Sequence, residues 1–251
     1  MDRTGAPRCK AKSEKWYSWG RSRSRGKNRY FIACRALLFT VLAAMVPVKQ
    51  GFAGARHPNG SSPSVKINVR LYNFARVPDE ILRRAEDGVS KIFLWADVDT
   101  TFVECPLTKE QAPSYAACRG AAGPSDFIVN LVTSGMAKHL PASNDTFGVA
   151  LLCGPRQASC TAYVNYERAQ QLARTANVGP SVVLGRVLAH ELGHLLGLVH
   201  SESGLMRAGW NPNDLGVGSL LDMMFTSREC QRIHAQAAAR TAEQVQITAK
   251  P

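Results

Sequence analysis

His190-Glu191-Leu192-Gly193-His194-Leu195-Leu196-Gly197-Leu198-Val199-His200 runs without a gap as H-E-x-x-H-x-x-G-x-x-H. On a helix, residues four apart share a face, so His190 and His194 can turn two imidazole nitrogens toward one point. Two ligands are too few for a catalytic zinc, which takes three from the protein and keeps a fourth position open. Gly197 offers the means of adding one. Lacking a Cβ, it can take left-handed backbone, end the helix and turn the chain so that His200 approaches from a new direction. Glu191, about 100° around the helix from His190, can reach the open position without occupying the metal. A lone histidine is more often an ordinary core or surface residue, but five fixed positions in one order point to a catalytic zinc site. Zinc held this way acidifies its water and polarises a carbonyl. Glu191 is then the expected general base, attacking through the zinc-bound water and passing the proton to the leaving amine.

The run resembles the zinc signature of the metzincin metallopeptidases, and His200-Ser201 is most similar to the matrixin branch. Metzincins follow the third histidine with a tight methionine turn beneath the metal. Ser203-Gly204-Leu205-Met206 resembles that turn and makes Met206 its methionine. The resemblance implies one catalytic zinc ion on His190, His194 and His200, Glu191 as the catalytic residue, and a protein or peptide substrate. The implied fold is α+β with α/β character: a mixed twisted sheet, an active-site helix, and a small C-terminal subdomain ending in a helix. This sequence also departs from the family pattern. The segment from His200 to Met206 is shorter than a matrixin's, and Arg207-Ala208 stands in place of Tyr-Pro. Ala208 cannot serve as the tyrosine that some branches place two residues after the methionine. No cysteines flank His200, as they do in archaemetzincins.

The net charge of +12 over 251 residues is unevenly spread. Residues 1–35 carry about +9 of it, so the remainder is nearly neutral. An uncharged apolar run at 36–48 follows, too short to span a bilayer comfortably and similar to the core of a signal peptide. Ala53-Gly54-Ala55 supplies a small-residue cleavage site, which puts the mature start near Arg56. The expected location is secreted or extracytoplasmic, with an uncleaved membrane anchor as the alternative. The basic stretch is long for a signal peptide, which suggests a start codon further downstream. Its charge would also suit nucleic acid or anionic lipid, but its position before the apolar run makes targeting the more economical reading, and no nucleic-acid partner is expected. The chain then divides into 1–55 (targeting), 56–64 (linker), 65–240 (catalytic domain) and 241–251 (tail). The expected function is an exported zinc-dependent endopeptidase. The alternative is a non-catalytic zinc-containing binding domain, against which the intact Glu191 argues.

Five of the seven cysteines follow the apolar run. Near neighbours are expected to pair, Cys105 with Cys118 and Cys153 with Cys160, leaving Cys230 free or intermolecular. Pro7-Arg8-Cys9 resembles the core of the matrixin cysteine switch but precedes the apolar run and lacks the flanking residues, so latency by a prodomain is not expected. Calcium has weak candidates in Asp97, Asp99 and Asp145, with no EF-hand loop around them. His57, His139 and His234 lack partners at ligand spacing and read as surface residues.

Val65, Ile67, Val69 and Leu71 alternate with polar residues and predict a strand. Pro78-Asp79-Glu80 opens an amphipathic helix carrying Ile81, Leu82, Ala85, Val89, Ile92 and Phe93. Further strands are expected at 98–103, 127–132, 147–152 and 162–166, and a short helix at 167–175. Residues 147–152 are the candidate substrate-binding edge, with a strand buried inside the sheet as the alternative. Pro180-Ser181 starts the helix that runs into the zinc motif, apolar on most sides as a buried central element should be. Thr226-Ser227-Arg228-Glu229 resembles a capping box opening a last helix to about Ala239.

Overall fold

In a computed structural model, the residues described are 65–108, 110, 115–141, 146–151, 160–216 and 222–248. All belong to one folded unit of the chain. The basic stretch, the apolar run, the cleavage site, His57, Asp145 and Cys153 lie outside them. Among the described residues no helix is long and apolar enough to cross a membrane.

The alternation seen from Val65 to Leu71 produces strand β1 (Lys66–Asn73), in which Ile67, Val69 and Leu71 are buried and their neighbours are not. Helix α1 (Asp79–Leu94) follows, with Asp79 and Glu80 in its first turn and Lys91 in its last, the charges that suit a helix dipole. Its buried residues are Leu82, Ala85, Val89, Ile92 and Phe93, while Ile81 is only half-buried. Strand β2 (Asp99–Cys105) then pairs parallel to β1. Strand β3 (Asp126–Val132), the one-turn helix α2 (Ser134–Ala137), strand β4 (Gly148–Leu151), strand β5 (Cys160–Asn165) and helix α3 (Tyr166–Thr175) come next. Helix α4 (Pro180–Leu195) carries the histidine motif, and helix α5 (Ser227–Thr248) ends the described chain. The mixed sheet has the order β2-β1-β3-β5-β4, parallel throughout except for β4, which runs antiparallel on β5.

Register aligns the inward residues. Val69 sits beside Phe127 and Leu71 beside Val129, and the next pairs along are Val129 with Ala162 and Leu131 with Val164. These residues share one face and form a single core with α1 and α4. The two helices approach closely where a Cβ on Gly185 would come within 2.9 Å of the Ala85 carbonyl oxygen. The far end of the chain is tied back. Thr226 and Glu229 cap α5 reciprocally, Glu229 accepting from the Thr226 N–H at 2.7 Å and Thr226 Oγ1 from the Glu229 N–H at 3.4 Å. Arg240 then donates to the Pro124 carbonyl at 3.0 Å and Thr241 to the Lys66 carbonyl at 3.2 Å.

The expected elements are present, with four differences. Helix α5 runs to Thr248 rather than stopping near Ala239, because no glycine or proline interrupts Arg240-Thr241-Ala242-Glu243-Gln244. The expected tail is therefore largely helical. His234 is not a surface residue: half-buried, its Nδ1 lies 3.1 Å from the Ala96 carbonyl, linking α5 to the end of α1. Cys230 is not a free thiol: it and Cys160 are each disulfide-bonded. A free or intermolecular Cys230 is expected only from the odd count of five cysteines after the apolar run. Tyr166 opens α3 rather than closing the strand before it, because the Asn165 side chain caps that helix by accepting from the Arg168 N–H. The Cys105–Cys118 bond is present.

Candidate metal centre and cleft

Helix α4 begins with Pro180 at its first position, where the missing N–H has no helical partner to lose. Val183, Leu184, Val187, Leu188 and Leu192 bury it against sheet and helices, so its last two turns are held as rigidly as the core. His190 and Glu191 are buried and His194 half-buried on those turns. The helix ends in a complete Schellman motif. Gly197 takes φ +82, its N–H donates to the His194 carbonyl at 2.8 Å, and the Leu198 N–H donates to the Gly193 carbonyl at 3.0 Å. Nothing stands within 4 Å of where a Cβ on Gly197 would lie, so its backbone conformation, not lack of space, calls for glycine here.

That turn brings His200 back. His194 Nε2 lies 3.0 Å from His190 Nε2 and 3.1 Å from His200 Nε2. Among the described residues this is the only group of three or more His, Cys, Asp or Glu side chains gathered at metal-ligand distance. The opposite nitrogens fix the tautomers. His190 Nδ1 faces the Leu205 carbonyl at 2.8 Å and His194 Nδ1 the Leu198 carbonyl at 2.9 Å, and a carbonyl oxygen can only accept. Both rings therefore carry their proton on Nδ1 and turn bare Nε2 lone pairs toward each other. Burial, reinforced by the neighbouring imidazoles and opposed by the carbonyl bond, pushes His190 down to about 4, and His194 is lowered for the same reasons. Neutral rings with facing lone pairs repel unless an electron acceptor lies among them. The donor set fits zinc, whose tetrahedral bonds of about 2.0–2.1 Å put ligand nitrogens about 3.3 Å apart.

The Leu205 carbonyl belongs to the turn expected from Ser203-Gly204-Leu205-Met206. Gly204 has φ +76, the Ser201 N–H donates to the Met206 carbonyl at 2.9 Å, and the Leu205 N–H donates to the Met224 carbonyl at 3.1 Å. Met206 is wholly buried, and a Cβ on Gly193 would come within 2.8 Å of its sulfur. The methionine thus packs beneath the helix turn that separates the first two histidines.

A cleft of about 660 Å³ opens beside the three imidazoles. Glu191 lines it, and burial pushes its carboxyl up to about 8. On one side stand Phe147, Gly148, Val149 and Ala150, from β4 and the residue before it. Among the described residues β4 terminates the sheet, so this segment is an edge rather than a strand buried within it. Arg207, Ala208, Gly209 and Trp210 line the cleft as well. Trp210 stacks on Phe147 with centroids 6.1 Å apart and meets the His190 ring edge-on at 5.5 Å. Arg168 lies 5.8 Å over the Phe147 ring. Arg207 pairs with Asp214, which also accepts from the Asn211 N–H at 2.7 Å and so pins the loop that presents Trp210.

The histidines, Glu191, Met206 and the β4 segment are legible in the sequence as site residues, whereas Trp210, Arg168 and Arg207 are not. The available signal was Trp210 itself, an aromatic in a Gly/Asn/Pro loop four residues beyond the methionine, where a core role is hard to assign.

No protein-family model and no curated protein matches the chain. Among solved structures it is similar to an archaemetzincin from Methanopyrus kandleri, with 18% identity and a TM-score of 0.43, over 72% of this chain and 99% of that one.

Proposed function

We propose that this chain is a zinc-dependent endopeptidase of metzincin type, in which His190, His194 and His200 hold one zinc ion and Glu191 is the catalytic general base. The observation that carries the reading is the convergence of three histidine Nε2 atoms, 3.0 and 3.1 Å apart, in a cleft that also holds a buried carboxylate. Zinc bound there supplies a Lewis acid that polarises the scissile carbonyl and acidifies water. The chain's own residues do the rest. Glu191 takes a proton from the attacking water and delivers it to the leaving nitrogen as the C–N bond breaks. Its carboxyl favours the protonated form by burial alone, and positive charge held at the triad shifts it toward the carboxylate a base requires.

Substrate binding follows from the exposed edge. The Phe147 carbonyl accepts from the Asn165 N–H at 2.8 Å, so Phe147 belongs to the set that bonds β5, and alternation along an antiparallel strand adds Val149 and Leu151. Gly148 and Ala150 then carry the N–H and C=O groups that point away from β5, available to an extended peptide added as a further strand. The Phe147–Trp210 stack forms an aromatic wall beside it. His200-Ser201 favours a matrixin-like branch, although Arg207-Ala208 departs from that pattern.

We place the reaction outside the cytoplasm. The apolar run at 36–48 and the Cys105–Cys118 disulfide, which suits an oxidising compartment, support this. N-terminal sequencing of the exported protein should begin near Arg56. The reading as a whole is tested by zinc analysis and casein hydrolysis. One zinc per chain and hydrolysis lost on chelation are expected. Stoichiometric zinc with no hydrolysis of casein or a peptide library would favour a binding domain instead.

A further inference from the structure

We propose that Gly148 is a positioning residue for Glu191, its missing β-carbon being the space in which the carboxylate lies. The inference rests on the reading of Glu191 as the general base. A β-carbon built on Gly148 would stand 2.5 Å from Glu191 Oε1, 2.7 Å from Cδ and 2.8 Å from Cγ. Non-bonded carbon and oxygen atoms do not approach so closely, since optimal contact between carbons lies at about 3.5–4.0 Å. The three nearest atoms all belong to that one side chain.

Backbone conformation does not explain the glycine. Gly148 is not among the described glycines of positive φ, which are Gly120, Gly197 and Gly204, and it pairs with Val164 in regular antiparallel register. A glycine in a strand weakens it and recurs where another group approaches the backbone closely. Here the group is a carboxylate from α4, whose own backbone is fixed by the core beneath it. The edge strand and the catalytic helix thus meet at one point, and the room there is set by residue 148.

The atoms nearest to the added methyl belong to a flexible side chain and not to the strand or helix backbone. A methyl group at 148 therefore turns the carboxylate away and leaves the fold and the three histidines in place. In the full zinc-loaded chain, Gly148→Ala should keep its zinc, bind peptide with little change in KM, and lose roughly 10- to 100-fold in kcat, the scale of a displacement of about 1 Å at a reacting group. In a Glu191→Ala background, which lacks the Cγ, Cδ and Oε1 atoms that stand in the way, the same substitution should change the residual kcat little.

A second cycle needs no activity. In zinc-free protein, Gly148→Ala should lower Tm by a few degrees in the wild-type background through overpacking, and leave it unchanged or raised in Glu191→Ala. Equal effects in both backgrounds, on Tm and on kcat, would overturn the proposal. Coupled Tm values with no hydrolysis by the zinc-loaded wild type would instead overturn the peptidase reading, and with it the catalytic consequence of the contact.

Discussion

Gly193 stands between the two helical histidines with no room to spare. A methyl group there would meet the Met206 sulfur at 2.8 Å and the Phe225 ring at 3.2 Å, both in the core beneath the metal centre. Gly193→Ala should cost about 1–3 kcal/mol of stability by overpacking, read from denaturant unfolding. A second residue-scale expectation concerns Glu86, half-buried on α1. Desolvation, then the charges of Glu104 and Asp87, push its carboxyl from 4.5 up to about 7. Below 4.5 the group is protonated in both folded and unfolded states and costs nothing. As pH rises toward 7 the unfolded chain gives up the proton first, so stability falls and then levels off. Glu86→Gln should therefore be the more stable protein at about pH 8, with the difference vanishing below about pH 4.5 in unfolding curves. The histidines and Glu191 were legible in the sequence because helical spacing alone states their mutual geometry. Trp210 was not, since its partners Phe147 and His190 come from distant parts of the chain and no local period records the stacking.

At the scale of elements, the end of α4 decides the site. The Schellman turn at Gly197 places the Leu198 carbonyl on His194 Nδ1 and sends His200 back to the other two rings. Gly197→Ala should cost about 1–2 kcal/mol for the left-handed conformation. Because the same turn orients two of three ligands, it should also weaken zinc binding by roughly 10- to 100-fold, measured by chelator competition. Equal zinc affinity in the variant would mean that His200 is held by other contacts. The sequence made this element readable because a glycine three residues after the second histidine has an obvious task. Helix α5 was harder to bound, since its last turns carry good helix formers with no stop signal, and the contacts at Arg240 and Thr241 that support them are long-range.

In the whole molecule, the site lies where the edge strand, the buried helix and the returning loop meet, and each comes from a different stretch of chain. Alternation and turn residues made the strands legible, but not their order: only the assembled sheet puts β4 outside β5 and beside the histidines. Such a junction should be tightened by its metal. Zinc removal is expected to lower Tm, by about 4 kcal/mol of lost stabilisation at free zinc a thousandfold above Kd, and readdition to restore it, in thermal scans at fixed protein concentration. The most direct test of the central claim is peptide hydrolysis by Glu191→Ala compared with wild type at equal zinc content. One zinc per chain is expected in both proteins, with a fall of at least about 10²-fold in kcat/KM for the variant. Equal hydrolysis by the two zinc-loaded proteins would contradict it.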